Sequence, residues 1–239
     1  MRFYEFFDRL ASTVQPADRD KRTDMSPDAP VDNWTNLKYK PTPPVADGPG
    51  DKTPKRPGQE AMPTPIAVDT KGIKNNGPFT QYGPGVKAIV VHHTAGLRDA
   101  PPLINVNSAL NTWRANGNSA HFIVDRDGTI YTVVPETLSA NHVLSTGPQA
   151  NNDITNGNSI GIEVSAADDS DVLPVQVTSA TALISSLMRR YKIPAEMVAG
   201  HGQIWGQGRP RDEGMTIVNA VGGQYRQPVA SNQNAMPKK

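Results

Sequence analysis

The chain is predicted to be an α/β protein, a mixed central β-sheet flanked by helices and preceded by a long Pro-rich extended arm. Three observations predict this. From about residue 86, short β-branched apolar runs alternate with stretches of helical periodicity, the pattern of strands and helices packed in layers. Turn-forming residues separate these runs. Before that point the texture is different, with 13 of the 22 prolines falling before residue 85.

Phe3, Phe6, Phe7 and Leu10 share the i, i+3, i+4, i+7 spacing of one helical face, and the segment holds three of the five Phe. Residues 1–10 are therefore expected to form a short amphipathic aromatic helix, which is marginal in water unless it docks on something. Residues 11–80 read as a Pro-rich extended arm or linker. Lys38–Pro65 mixes Pro with Gly, Lys, Asp and Thr and has almost no large apolar residue, too little to offset its chain entropy. Lys87–Val91 is a buried strand. Asn105–Ala115 is a helix with Val106, Leu110 and Trp113 on one side. His121–Val124 and Thr129–Val134 flank Arg126-Asp127-Gly128 and form a hairpin. Ser159–Val164 is a strand. Val177, Ala180, Leu183, Ile184, Leu187, Met188 and Tyr191 follow helical spacing, stopped by Ile193-Pro194. Met197–Ala199 is a short strand that delivers His201. One folded domain is expected over 81–226 and a polar tail over 227–239.

Composition excludes several function classes. Lys+Arg and Asp+Glu nearly balance, for a formal charge of +1, so no concentrated basic face points to nucleic acid. There is no cysteine, so the fold cannot rest on disulfides and any transition metal must be held by His and carboxylate. No apolar run reaches the ~18 residues of a membrane span. Glu5, Asp8 and Arg9 interrupt what would be the apolar core of a signal peptide, so none is expected.

All five histidines lie between 92 and 201. His92 and His93 end one strand, His201 follows another, and Asp212 sits in the Gly/Pro/Arg loop Gly208–Gly214. Two histidines and an aspartate at such loop junctions offer three metal ligands, which leave a zinc ion one open position. Neighbours on a strand point to opposite faces, so His92 and His93 are not expected to reach one metal together. Ser159–Val164 adds Glu163, a carboxylate at the end of an apolar run.

Val90–Ala95 (VVHHTA), Ser119–Glu136 (SAHFIVDRDGTIYTVVPE), Ser159–Val164 (SIGIEV), Gly200-His201 and Gly208–Gly214 (GRPRDEG) together resemble the zinc-dependent N-acetylmuramoyl-L-alanine amidases. That family includes phage lysozyme-amidases, the muropeptide-recycling amidase and the peptidoglycan recognition proteins. The resemblance covers about 86 to 220 and leaves the arm outside. It implies Zn2+ held by His92, His201 and Asp212, with Glu163 as general base as in the recycling branch. The branch without this Glu carries a Tyr before the histidine of the hairpin strand; here that position is Ala120. The family's oxyanion lysine, two residues before the third ligand, is Pro210 here, and Arg211 or Arg209 is expected to supply the charge, Arg211 first. The stretch from His201 to Asp212 is also one residue longer than usual. His142 and Thr94 are expected substrate contacts, though His142 could equally support a ligand. His121 is expected to be a core residue or a partner that supports a metal-bound histidine, and Tyr131 and Trp113 are expected to be core.

The implied activity is hydrolysis of the amide between N-acetylmuramic acid and L-alanine in peptidoglycan. The missing export signal and the long arm lead us to expect a phage wall-degrading component, virion-associated through residues 1–80 binding other virion proteins. The alternatives are an endolysin released from the host cytoplasm, a non-catalytic peptidoglycan-binding module and a virion structural protein.

Overall fold

The computed structural model describes residues 63–82, 85–143, 153–204 and 210–226. The helix expected over 1–10, most of the arm and the tail from 227 lie outside the described residues. In chain order the elements are β1 (Ile66–Ala67), β2 (Ala88–His93), α1 (Ile104–Asn116), β3 (Phe122–Val124), β4 (Ile130–Thr132), β5 (Ser159–Val164), α2 (Pro174–Tyr191), β6 (Val198–Gly200), α3 (His201–Ile204) and α4 (Met215–Ala220).

The six strands form one mixed sheet in the order β1-β4-β3-β5-β2-β6. Among the described residues only β3 and β4 of this sheet pair antiparallel, as the expected hairpin; their other neighbours are parallel. Asp125 accepts the Gly128 N–H through its carbonyl at 2.9 Å and closes the turn. The middle strands β2 and β5 are buried along nearly their whole length. That burial matches their unbroken apolar runs, since a parallel strand covered on both faces does not alternate with polar residues.

The two faces are packed differently. Ile89, Val91, Ile160, Ile162, Val164, Phe122 and Val124 point to one face, where Leu183, Ile184 and Leu187 of α2 and Ile217 and Val218 of α4 cover them. Each such aliphatic side chain contributes about 1.5–3 kcal/mol on burial. On the other face, Val106, Leu110 and Trp113 of α1 pack on Ile123. Ala88, Val90 and Ala199 pack there with Ile204 and Tyr225. At its start, α2 is tied to the sheet by buried Gln176, which accepts from the Leu173 N–H and donates to the carbonyls of Val124 and Ser165.

Three elements depart from the sequence reading. β1 lies within the stretch assigned to the arm and pairs with β4. Phe79 is also buried, stacked on His121 with ring centroids 5.7 Å apart. The folded region thus reaches back beyond the limit of 81. A two-residue edge strand has too few positions to show a period. His201 opens a one-turn helix rather than a loop, and α4 follows the acidic loop where no periodicity stood out. Among the described residues no helix is long and apolar enough to cross a membrane.

Candidate metal centre and active site

Strand register assembles the site. His92 is the register partner of Glu163 across β2 and β5. On the other side Val91 pairs with Gly200 of β6, so the next step along β2 brings His92 level with His201. Partners in parallel strands share a face, so Glu163 and His92 lie side by side at the carboxyl end of the sheet, and His201, the first residue of α3, follows β6 directly. His93 points to the opposite face, as strand alternation requires. There its Nε2 lies 2.9 Å from Asp169 Oδ1.

Glu213 completes the cluster. Its Oε1 lies 3.3 Å from His201 Nδ1 and 3.9 Å from His92 Nδ1, and the two histidine Nδ1 atoms are 3.0 Å apart. All three residues are 3% exposed. Two imidazole nitrogens and a carboxylate oxygen held this close share either a proton or a cation. Two imidazoles and a carboxylate are a zinc-type donor set, and tetrahedral zinc spaces such ligands about 3.3 Å apart. The residues present therefore fit the ion that the sequence implied, and His92, His201 and Glu213 are the ones able to hold it.

The expected third ligand, Asp212, is exposed and lies outside the cluster. The cause is a tight turn. The Glu213 N–H donates to the Pro210 carbonyl at 3.1 Å, which puts Arg211 and Asp212 at the outer corners and leaves Glu213 to turn inward. Two glycines allow the loop to lie against the sheet. A Cβ on Gly200 would come 2.3 Å from the Glu213 carbonyl oxygen, and one on Gly214 would come 2.5 Å from that of Val91. Gly214 also holds a φ of +86°, which side chains other than glycine's rarely tolerate.

His142 stands behind His92. Its Nε2 faces the Ser159 carbonyl at 3.3 Å and the Ser159 hydroxyl at 3.2 Å. That hydroxyl already donates to the Thr155 carbonyl. Both Ser159 oxygens therefore accept, and the proton sits on His142 Nε2. His142 Nδ1 then accepts from His92 Nε2 at 3.1 Å, which turns the His92 Nδ1 lone pair toward His201 and Glu213. Burial, reinforced by neighbouring His121, pushes the His142 pKa well below the ordinary histidine value, in keeping with this neutral relay. Gly161 makes room for the ring, because a Cβ there would lie 2.6 Å from its Cγ.

The family model for N-acetylmuramoyl-L-alanine amidases matches residues 81–215, more than half of the chain. The chain belongs to the N-acetylmuramoyl-L-alanine amidase family. No curated protein matches it. Among solved structures, the amidase is similar to an N-acetylmuramoyl-L-alanine amidase endolysin, LysCS of Clostridium intestinale, at 25% identity and a TM-score of 0.43, covering 60% of this chain and 84% of that one. It is also similar to a mutant endolysin from Bacillus subtilis at 24% identity and a TM-score of 0.48, covering 67% and 100%. A third likeness is AmpD, at 22% identity and a TM-score of 0.49, covering 66% and 94%.

The remaining expected site residues of the amidase fall as follows. Thr94 donates its hydroxyl to the Ala166 carbonyl at 3.3 Å, tying the ends of β2 and β5. Arg211 is exposed, two residues before Glu213. Arg209 lies outside the described residues. His121 is fully buried: its Nδ1 accepts from the Gly161 N–H and its Nε2 donates to the Leu138 carbonyl. Burial lowers its pKa to about 4, so it is a neutral core residue of the amidase. Trp113 is buried as well, and Tyr131 is partly buried against the same cluster. Sequence reasoning passed over Glu213, although one signal was available: with Glu213 as third ligand a cation, Arg211, stands two residues before it, where Asp212 has only Pro210.

Proposed function

We propose that the amidase is zinc-dependent, with zinc held by His92, His201 and Glu213, and that it cleaves the amide between the lactyl group of N-acetylmuramic acid and L-alanine. The observation that carries this reading is the buried cluster of His92 at the end of β2, His201 directly after β6 and Glu213, with Glu163 the register partner of His92 on β5. Zinc bound there supplies Lewis-acid polarisation of the scissile carbonyl and lowers the pKa of water at the site from 15.7 toward 7.

The chain's own residues do the rest. Glu163 takes the proton of the attacking water and returns it to the leaving amine of L-alanine. Arg211, in the position of the family's oxyanion lysine once Glu213 is the ligand, meets the negative charge that develops on the carbonyl oxygen, an effect worth roughly 3–4 kcal/mol in other hydrolases. His142 orients His92. Thr94, its hydroxyl proton engaged, presents its oxygen lone pairs to substrate N–H groups. The test is Glu163→Gln. It keeps a full equivalent of zinc by elemental analysis and loses at least about 10²-fold of the stem-peptide release from sacculi. Wild-type turnover in that variant would remove Glu163 from its role.

The biological setting follows from the arm. The proline-rich stretch before the domain and the aromatic face of residues 1–10 support a wall-degrading phage component held to a virion by its N-terminal part. Pull-down of residues 1–80 against virion proteins tests this. A segment that captures none of them points to a free endolysin.

A further inference from the structure

We propose that Asp169 is a positioning residue for the metal centre, joining the strand that carries His92 to the loop that carries Glu213 and so holding the third ligand at its distance from the histidines. The proposal rests on the reading of the centre given above. His92 is set by strand register and His201 opens the helix that follows β6, but Glu213 is on neither strand nor helix. It follows a turn, and something outside the turn must hold it.

The Asp169 carboxylate is placed to do this. Oδ1 accepts from the Gly214 N–H at 3.0 Å and lies 2.9 Å from His93 Nε2. Oδ2 accepts from the Thr216 N–H at 2.7 Å and from the Thr216 hydroxyl at 2.5 Å. His93 is the neighbour of His92, and Gly214 is the neighbour of Glu213. One carboxylate therefore grips the chain one residue away from two of the three ligands. Its own base is rigid. Asp169 opens the 3₁₀ turn Asp169–Asp171, whose preceding Asp168 side chain accepts from the Ser170 N–H. Asp171, at the other end, accepts from the Ala167 N–H and pairs with buried Arg126 at 2.9 Å. That turn follows β5, the strand of Glu163, so all three functional segments meet at one side chain.

The charge on Asp169 is maintained. Burial works to raise its pKa, but the hydrogen bonds from His93 and Thr216 outweigh it and hold the carboxyl below its ordinary value. An ionised carboxylate with several donors is a stiffer support than a neutral amide would be. Partners one step out from metal ligands generally affect metal affinity by 10–100-fold.

The test uses the full chain and measures zinc affinity by competition with a chromophoric chelator, beside thermal unfolding of the metal-free protein. Asp169→Asn is expected to weaken zinc binding about 10–100-fold. Thr216→Val, which deletes one donor and keeps the backbone amide, is expected to weaken it by less while leaving the metal-free unfolding temperature close to wild type. Asp171→Asn breaks the neighbouring ion pair without touching either ligand's neighbour, so it should lower the unfolding temperature and spare zinc affinity. Wild-type zinc affinity in both Asp169→Asn and Thr216→Val overturns the proposal, and so does an equal loss of affinity in Asp171→Asn. If Asp169→Asn does not fold, Thr216→Val decides alone. A wild-type chain that binds no zinc, or a His92→Ala variant that binds it fully, refutes the metal centre itself.

Discussion

Glu213 and His201 lie twelve residues apart in the chain, and their side chains meet at 3.3 Å, both buried. Asp212, one position earlier, is exposed. Glu213→Ala is therefore expected to lose zinc, whereas Asp212→Ala retains it. Elemental analysis of the two purified variants distinguishes them, and full zinc in Glu213→Ala would return the third position to its neighbour.

Arg211 stands two positions before that ligand and is exposed. Arg211→Ala is expected to keep its zinc and lower kcat by about 10²–10³-fold, the range for removing one oxyanion donor. Arg211→Lys should recover part of the loss. The readout is steady-state cleavage of a soluble muropeptide, with kcat and KM separated; a change confined to KM would reassign Arg211 to substrate binding.

His121 gives the fold a defined acid sensitivity. Its pKa falls from 6.5 to about 4 in the folded protein. The unfolded chain therefore takes up a proton below 6.5 that the folded protein refuses. Stability is complete above pH 6.5, declines as pH falls toward 4, and the loss saturates below that at about 3 kcal/mol. Urea unfolding of metal-free protein at pH 7, 5.5 and 4 measures the slope. A His121→Gln variant should show a shallower one, and an unchanged slope would exclude His121 as its source.

Gly214→Ala combines a left-handed backbone with a close approach to the Val91 carbonyl. It is expected to cost more than about 1 kcal/mol and to weaken zinc binding, because the strained residue adjoins Glu213. Denaturant unfolding and chelator competition on the same variant check both effects.

Much of the fold was legible in the sequence because the core is written in local patterns. The β-branched runs at 88–91 and 159–164 and the helical spacing from Val177 to Tyr191 each state an element without reference to any other. β1 was not legible, since two edge residues carry no period and its pairing partner, β4, lies more than sixty residues away. The histidine positions and Glu163 could be found because they sit at the ends of such runs. Asp169 could not, as its exposed-looking stretch Asp168-Asp169-Ser170-Asp171 reads as solvated loop until His93 and Thr216 are seen to face it.

The sequence by itself determined the strands and main helices, the two histidines available to a metal and the carboxylate beside them, because hydrophobic period and residue chemistry are properties of short segments. Only the tertiary structure separates Asp212 from Glu213. Both are acidic and adjacent, and their difference is one of direction: a turn closed by the Pro210 carbonyl points one into solvent and the other between two imidazoles. That turn lies where it does because Gly200 and Gly214 let its backbone rest on β6 and β2, a contact between segments that no local pattern records.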